Sequence, residues 1–120
     1  MQRYADLKVW QRSHALALEV YRCTEGFPDK ERFGLTSQLR RAVVSAPANI
    51  AEGSRRQGAQ DYARFLNIAE GSLAETSYLL LLSRDLGYLD PKSAERLSDE
   101  IEEISRMLYA LRTKVEGRGA

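Results

Sequence analysis

The sequence predicts an all-α protein folded as an antiparallel up-down four-helix bundle. Apolar residues recur at steps of three and four along four separate segments. Short stretches holding Gly and Pro interrupt them. No strand-length stretch alternates convincingly between apolar and polar residues. Helices joined by such short connections pack as antiparallel neighbours. The expected helices cover about 6–25, 36–53, 59–86 and 91–115, in a single domain over 1–120.

The first segment places Leu7, Trp10, His14, Ala17 and Tyr21 on one face, with Asp6 as the expected N-cap. Gly26 and Pro28 end it, and Phe27 and Phe33 are expected to anchor the following loop in the core. The second segment, capped by Thr36, carries Leu39, Val43, Ala46 and Ile50 among many small residues, with Gly53 as its stop. It holds Pro47 in its interior, where proline costs about 3 kcal/mol and leaves the carbonyl of Val43 without its usual donor. Packing must hold that turn. The third segment has the stripe Tyr62, Phe65, Leu66, Ala69, Leu73, Thr76, Leu80 and Ser83, and a second apolar face of Ile68, Ser72, Leu79 and Leu82. Two faces call for burial on two sides, which predicts self-association. Gly71 is expected to permit a close helix crossing or a bend. Asp90-Pro91 is a strong helix start, and Leu97, Ile101, Ile104, Leu108, Leu111 and Val115 then form an unbroken heptad seam. The tail from Gly117 to Ala120 is expected to fray.

Charge is dense but balanced, with 18 basic and 17 acidic residues for a formal net of +1. Residues 1–58 hold 10 basic and 6 acidic side chains, and residues 59–120 hold 8 and 11. That polarity suits head-to-tail or side-to-side association and leaves room for a local anion-binding face. One cysteine, Cys23, excludes an internal disulfide, and with one histidine there is no zinc-ligand set and no Glu-x-x-His di-iron signature. No apolar run approaches a membrane span or a signal peptide, so a cytoplasmic location is expected.

No catalytic residue, metal ligand or cofactor site is assigned. His14 reads as a packing or interface residue. Asp61, Glu70 and Glu75 do not share one face, and Ser45, Ser72 and Cys23 lack an activating base. Arg40, Arg41, Arg55, Arg56 and Arg64 are the candidates for an RNA- or DNA-binding patch, because guanidinium forks match phosphate; a solvated or subunit-bridging surface is the alternative. Pro47, Asn49 and Glu52 read as a structural clasp at the corner between helices two and three, the alternative being a ligand contact. The clasp predicts that Glu52→Ala lowers stability more than an ordinary exposed substitution.

The order of motifs resembles the bacterial four-helix-bundle family of 23S ribosomal RNA intervening-sequence, or S23-type, proteins. The match runs through Asp6-Leu7-Lys8-Val9-Trp10-Gln11, Phe27-Pro28 and Glu31-Arg32-Phe33-Gly34-Leu35. It continues through Gln38-Leu39-Arg40-Arg41-Ala42, residues Ser45 to Gly53, residues Phe65 to Ala69, Gly71-Ser72 with Glu75, and Leu86-Gly87-Tyr88-Leu89. The resemblance implies a ring-like homopentamer and a relation to accessory variability determinant proteins of diversity-generating retroelements. It marks Arg40, Arg41, Arg55 and Arg56 as the matching basic candidates. A partner-protein scaffold without direct nucleic-acid binding is the other reading.

Overall fold

In the computed structural model, which describes residues 3–118, four α-helices follow one another: α1 (Lys8–Thr24), α2 (Leu35–Ser54), α3 (Ala59–Asp85) and α4 (Pro91–Arg118). No strand occurs among the described residues. Each helix packs on the next, and α4 returns to α1, so α1 and α3 stand on one diagonal and α2 and α4 on the other. The bundle is a rod of 47 × 24 × 20 Å. A single apolar cluster runs through all four helices, with Val20, Leu39, Val43, Ile50, Leu66, Leu73, Leu97, Ile104 and Leu108 fully enclosed.

The helix ends differ in part from expectation. Asp6 does not cap α1; it lies in a 3-10 turn over Tyr4–Asp6, and Leu7 stands at the N-cap with no side-chain acceptor. The turn is tied down instead by Gln11, whose Nε2 donates to the carbonyl of Ala5 at 2.8 Å. Thr36 is not a cap either, because α2 already begins at Leu35. There the amide of Leu35 donates to Glu31 Oε1 at 3.2 Å, an acceptor from the preceding 3-10 turn Asp29–Glu31. Asp90 does cap α4, accepting from the Ser93 amide at 3.0 Å. Of the tail, Gly117 and Arg118 belong to α4, and Gly119-Ala120 lie outside the described residues.

Two faces also turn differently. In α1 the buried residues are Val9, Ser13, Leu16, Ala17, Val20 and Thr24, while His14 and Tyr21 are exposed. The buried face includes Ser13 and Thr24, whose hydroxyls donate to Val9 and Val20 of their own helix at 2.9 and 2.8 Å. With those groups satisfied, short hydroxyl side chains enter a core at little cost. His14 stacks on Trp10 at the surface, ring centroids 5.0 Å apart. In α3 the second apolar face is largely enclosed within one protomer. Ser72 and Leu79 are buried and Leu82 is half-buried; only Ile68 is open, at 41%. Because α3 lies between α2 and α4, the bundle covers it on both sides.

Phe27 joins the core, but Phe33 does not: it is 88% exposed. Gly53 does not stop α2, which continues to Ser54. A Cβ at Gly53 would stand 2.7 Å from Phe65 Cβ and 3.1 Å from Tyr62 Cδ1, so its role is close approach of α3. Gly71 has no atom within 4 Å of such a Cβ, and no tight crossing passes there.

Candidate nucleic-acid interface

The five candidate arginines do not form one patch. Arg40 and Arg55 are separated by most of α2, about 22 Å at 1.5 Å per residue. Arg40 is already engaged: its Nε donates to Thr24 Oγ1 at 2.8 Å and a terminal nitrogen to the Tyr21 carbonyl at 3.2 Å, with the guanidinium 4.5 Å from the Tyr21 ring. It closes the C-terminal end of α1, where orphan carbonyls favour a cation. Arg41 is exposed near Phe33 and makes no ion pair among the described residues.

The other three gather at the corner between α2 and α3. Arg55 follows the last residue of α2 and faces solvent. Arg56 pairs with Glu52 at 2.7 Å and reaches Asp61 at 3.8 Å; Arg64 pairs with Asp61 at 3.0 Å. Both guanidinium groups lie over Phe65, at 4.8 and 4.5 Å from its centroid. Phe65 can sit there because Gly53 lets α2 and α3 close on it. Arg118 of α4, which sequence reasoning did not single out, reaches the same end. It lines with Arg56 a cleft of about 320 Å³ that also includes Tyr62 and Gln57. Burial pushes the Tyr62 phenol up, and Arg118 opposes that shift. Of the four arginines at this end, Arg56 and Arg64 are the ones held by the carboxylates of Glu52 and Asp61. In the sequence Arg118 carries no signal beyond following the α4 heptad seam; its meeting with Arg56 needed the fold.

Pro47, Asn49 and Glu52 do not form one clasp. Pro47 is buried in α2. Glu52 is exposed and, among the described residues, its carboxylate pairs with the Arg56 side chain alone, one turn on in the chain. Asn49 donates to the Ser45 carbonyl at 2.8 Å and to Ser45 Oγ at 3.0 Å, not to Val43. Ser45 Oγ in turn lies 2.7 Å from Ser72 Oγ on α3, which bonds the Ile68 carbonyl at 3.1 Å. Every proton in this chain can point the same way, from Asn49 through both serines to Ile68. The polar link between α2 and α3 is therefore Asn49-Ser45-Ser72.

Burial raises the pKa of the Cys23 thiol, the opposite of activation. Among the described residues no group of three or more His, Cys, Asp or Glu is placed to hold a metal ion. No described helix is long and apolar enough to cross a membrane.

The family model described as the 23S rRNA-intervening sequence protein matches residues 5–110. The chain belongs to this family. The chain is similar to a crystal structure of a protein of unknown function from the S23 ribosomal protein family of Bacteroides thetaiotaomicron, with a TM-score of 0.78 and 26% sequence identity. The similarity covers 87% of this chain and 97% of that one. No curated protein matches the chain.

Proposed function

We propose that this chain is a non-enzymatic, self-associating cytoplasmic bundle that holds the phosphate backbone of RNA or DNA. The contact is the basic end formed by Arg55, Arg56, Arg64 and Arg118. The observation that carries this reading is the gathering at one end of the rod of Arg55 and Arg56 from the α2–α3 turn, Arg64 from α3 and Arg118 from α4, with Glu52 and Asp61 orienting Arg56 and Arg64. A guanidinium held by one carboxylate still offers donors to phosphate. The family name, tied to a ribosomal RNA insertion, supports the class of ligand. The free Cys23 suits a reducing compartment.

The test is binding of single- and double-stranded RNA and DNA across a salt series. The wild-type chain is expected to lose affinity linearly on a log–log salt plot. Arg55→Ala with Arg64→Ala is expected to weaken binding and to flatten the slope by about 0.7–0.9 for each phosphate that is no longer neutralised. Binding with no salt dependence, or unchanged in the double variant, overturns the proposal.

A protein scaffold is the second reading, and Phe33, 88% exposed, favours it. Assembly into a homopentamer, implied by resemblance, belongs to the first reading and is checked by sedimentation at micromolar concentration. A neighbouring reverse-transcriptase gene would support a relation to retroelement accessory proteins; an enclosing ribosomal RNA gene would support the intervening-sequence setting.

A further inference from the structure

The cleft at the basic end differs in its lining from other concavities of the surface. Its walls come from the ends of all four helices: Leu7 ahead of α1, Ser54 closing α2, Ala59 and Tyr62 in the first turn of α3, and Arg118 at the end of α4. Two arginines line it and no carboxylate does. Three other surface clefts each carry acid: Glu95 and Asp99 between α3 and α4, Glu100 and Glu103 beside Arg12, and Glu75 beside Arg41. An anion is therefore favoured here over any of those three.

The floor of the cleft is apolar. Val115 is fully buried and Leu111 half-buried, both from the last turns of α4. Tyr62 forms a wall. Its ring is half-buried, and Gly53 of α2 backs one edge: a Cβ there would stand 3.1 Å from Tyr62 Cδ1. Arg118 stands close enough to the phenol to oppose the rise that burial gives its pKa. Arg118 itself makes no ion pair among the described residues. An aromatic ring, an apolar floor and a cation thus meet in one place.

That combination matches a nucleotide, which joins a flat base to a phosphate. The Tyr62 ring offers the base a π-face, and the guanidinium forks of Arg56 and Arg118 match the phosphate. Gln57, exposed on the rim, supplies an amide donor and an acceptor for a base edge. Size sets a limit. A volume of about 320 Å³ lies at the lower end of the roughly 300–1,000 Å³ typical of small-molecule sites, which is room for a single nucleotide. In a duplex the bases are paired and stacked, so they do not reach past the rim.

We infer that this cleft takes an unpaired nucleotide, its base against Tyr62 and its phosphate between Arg56 and Arg118, so that the protein selects single strands over duplexes. The inference rests on the phosphate-binding reading above and names the form of strand that the basic end recognises. Arg55 and Arg64 stand outside the cleft and meet flanking phosphates, a contact that does not depend on base pairing.

Equilibrium binding of a short single strand and of the blunt duplex of the same sequence, each made as RNA and as DNA, tests this across a salt series. In whichever sugar binds more tightly, wild type is expected to hold the single strand at least about fivefold more tightly than the duplex, the least that one stacked base supplies. Tyr62→Leu, which keeps an apolar group in the wall, is expected to abolish that preference and leave duplex binding unchanged. Tyr62→Phe keeps the ring and is expected to retain the preference. Arg118→Ala, at an exposed position, is expected to weaken single-strand binding and flatten its salt slope by about 0.7. Circular dichroism confirms that each variant folds. No salt-dependent binding of any probe sinks the phosphate-binding reading and this inference together. Salt-dependent binding that is equal for strand and duplex, or a preference that survives Tyr62→Leu in a folded chain, overturns the inference alone. Should Tyr62→Leu fail to fold, an unchanged single-strand slope in Arg118→Ala overturns it instead.

Discussion

Gly53 and Gly71 show how one residue type takes opposite roles within a helical bundle. Both lie inside helices, where alanine is intrinsically preferred by about 1 kcal/mol. At Gly71 nothing opposes the added methyl, and Gly71→Ala is expected to raise stability by about 0.5–1 kcal/mol in urea denaturation. At Gly53 the same methyl would overlap Phe65, so Gly53→Ala is expected to destabilise by about 1–3 kcal/mol. Equal effects at the two sites would refute this account of the α2–α3 contact. Glu52 is the residue whose expected role changed most. Its carboxylate is exposed and bonds one flexible arginine a turn away. Such pairs contribute little, so Glu52→Ala is expected to stay within about 0.5 kcal/mol of wild type by the same measurement.

At the scale of the helix, ends are fixed by whichever acceptor arrives first. Asp90 holds the start of α4, and the hydrogen bonds it receives from Ser93 lower its carboxyl pKa. A depressed folded-state pKa means the contribution is complete above the ordinary aspartate value of about 3.9 and fades as pH falls through the depressed value. Asp90→Asn, which keeps the capping oxygen but cannot titrate, is expected to show a shallower loss of melting temperature below pH 4 than wild type. Parallel acid profiles would exclude Asp90 as a contributor. At the start of α2 the acceptor is Glu31, tied also to Tyr88, so one carboxylate serves two elements. Thr36 is left buried with an unbonded hydroxyl. The α2–α3 pair is held by the Asn49-Ser45-Ser72 chain, and α1 is joined to α4 by the two-pronged contact of Arg12 with Glu100 at 2.9 Å. Arg112 makes a comparable bridge from α4 to Glu70 of α3.

For the molecule as a whole, one apolar core shared by four helices makes stability collective. Leu66, fully enclosed near the middle of α3, is expected to cost about 2–5 kcal/mol when truncated to alanine, and unfolding should remain a single transition. A second transition would show that some helices fold apart. The charge imbalance between the chain halves also has a spatial meaning. The basic residues of α2 and its flanks face two separate regions, one at the Phe33 end and one at the Arg55 end.

The helix count, the α4 seam and the Asp90 start were legible in the sequence, because period and capping chemistry are local and repeat along the chain. The presence of a basic corner at Arg55 and Arg56 was legible for the same reason. What local pattern misjudged was direction. Trp10, His14 and Tyr21 follow the helical period as faithfully as Val9, Ser13 and Val20, and periodicity does not say which of two arcs meets a neighbour. Phe33 is apolar, yet no partner within the protomer covers it. Read alone, the chain dictates four amphipathic helices with short turns, since hydrogen bonding and side-chain spacing act over a few residues. It took the packed bundle to settle that Arg40 serves α1, that Arg118 joins Arg56, and that serines link α2 to α3, because those contacts depend on which helix stands beside which.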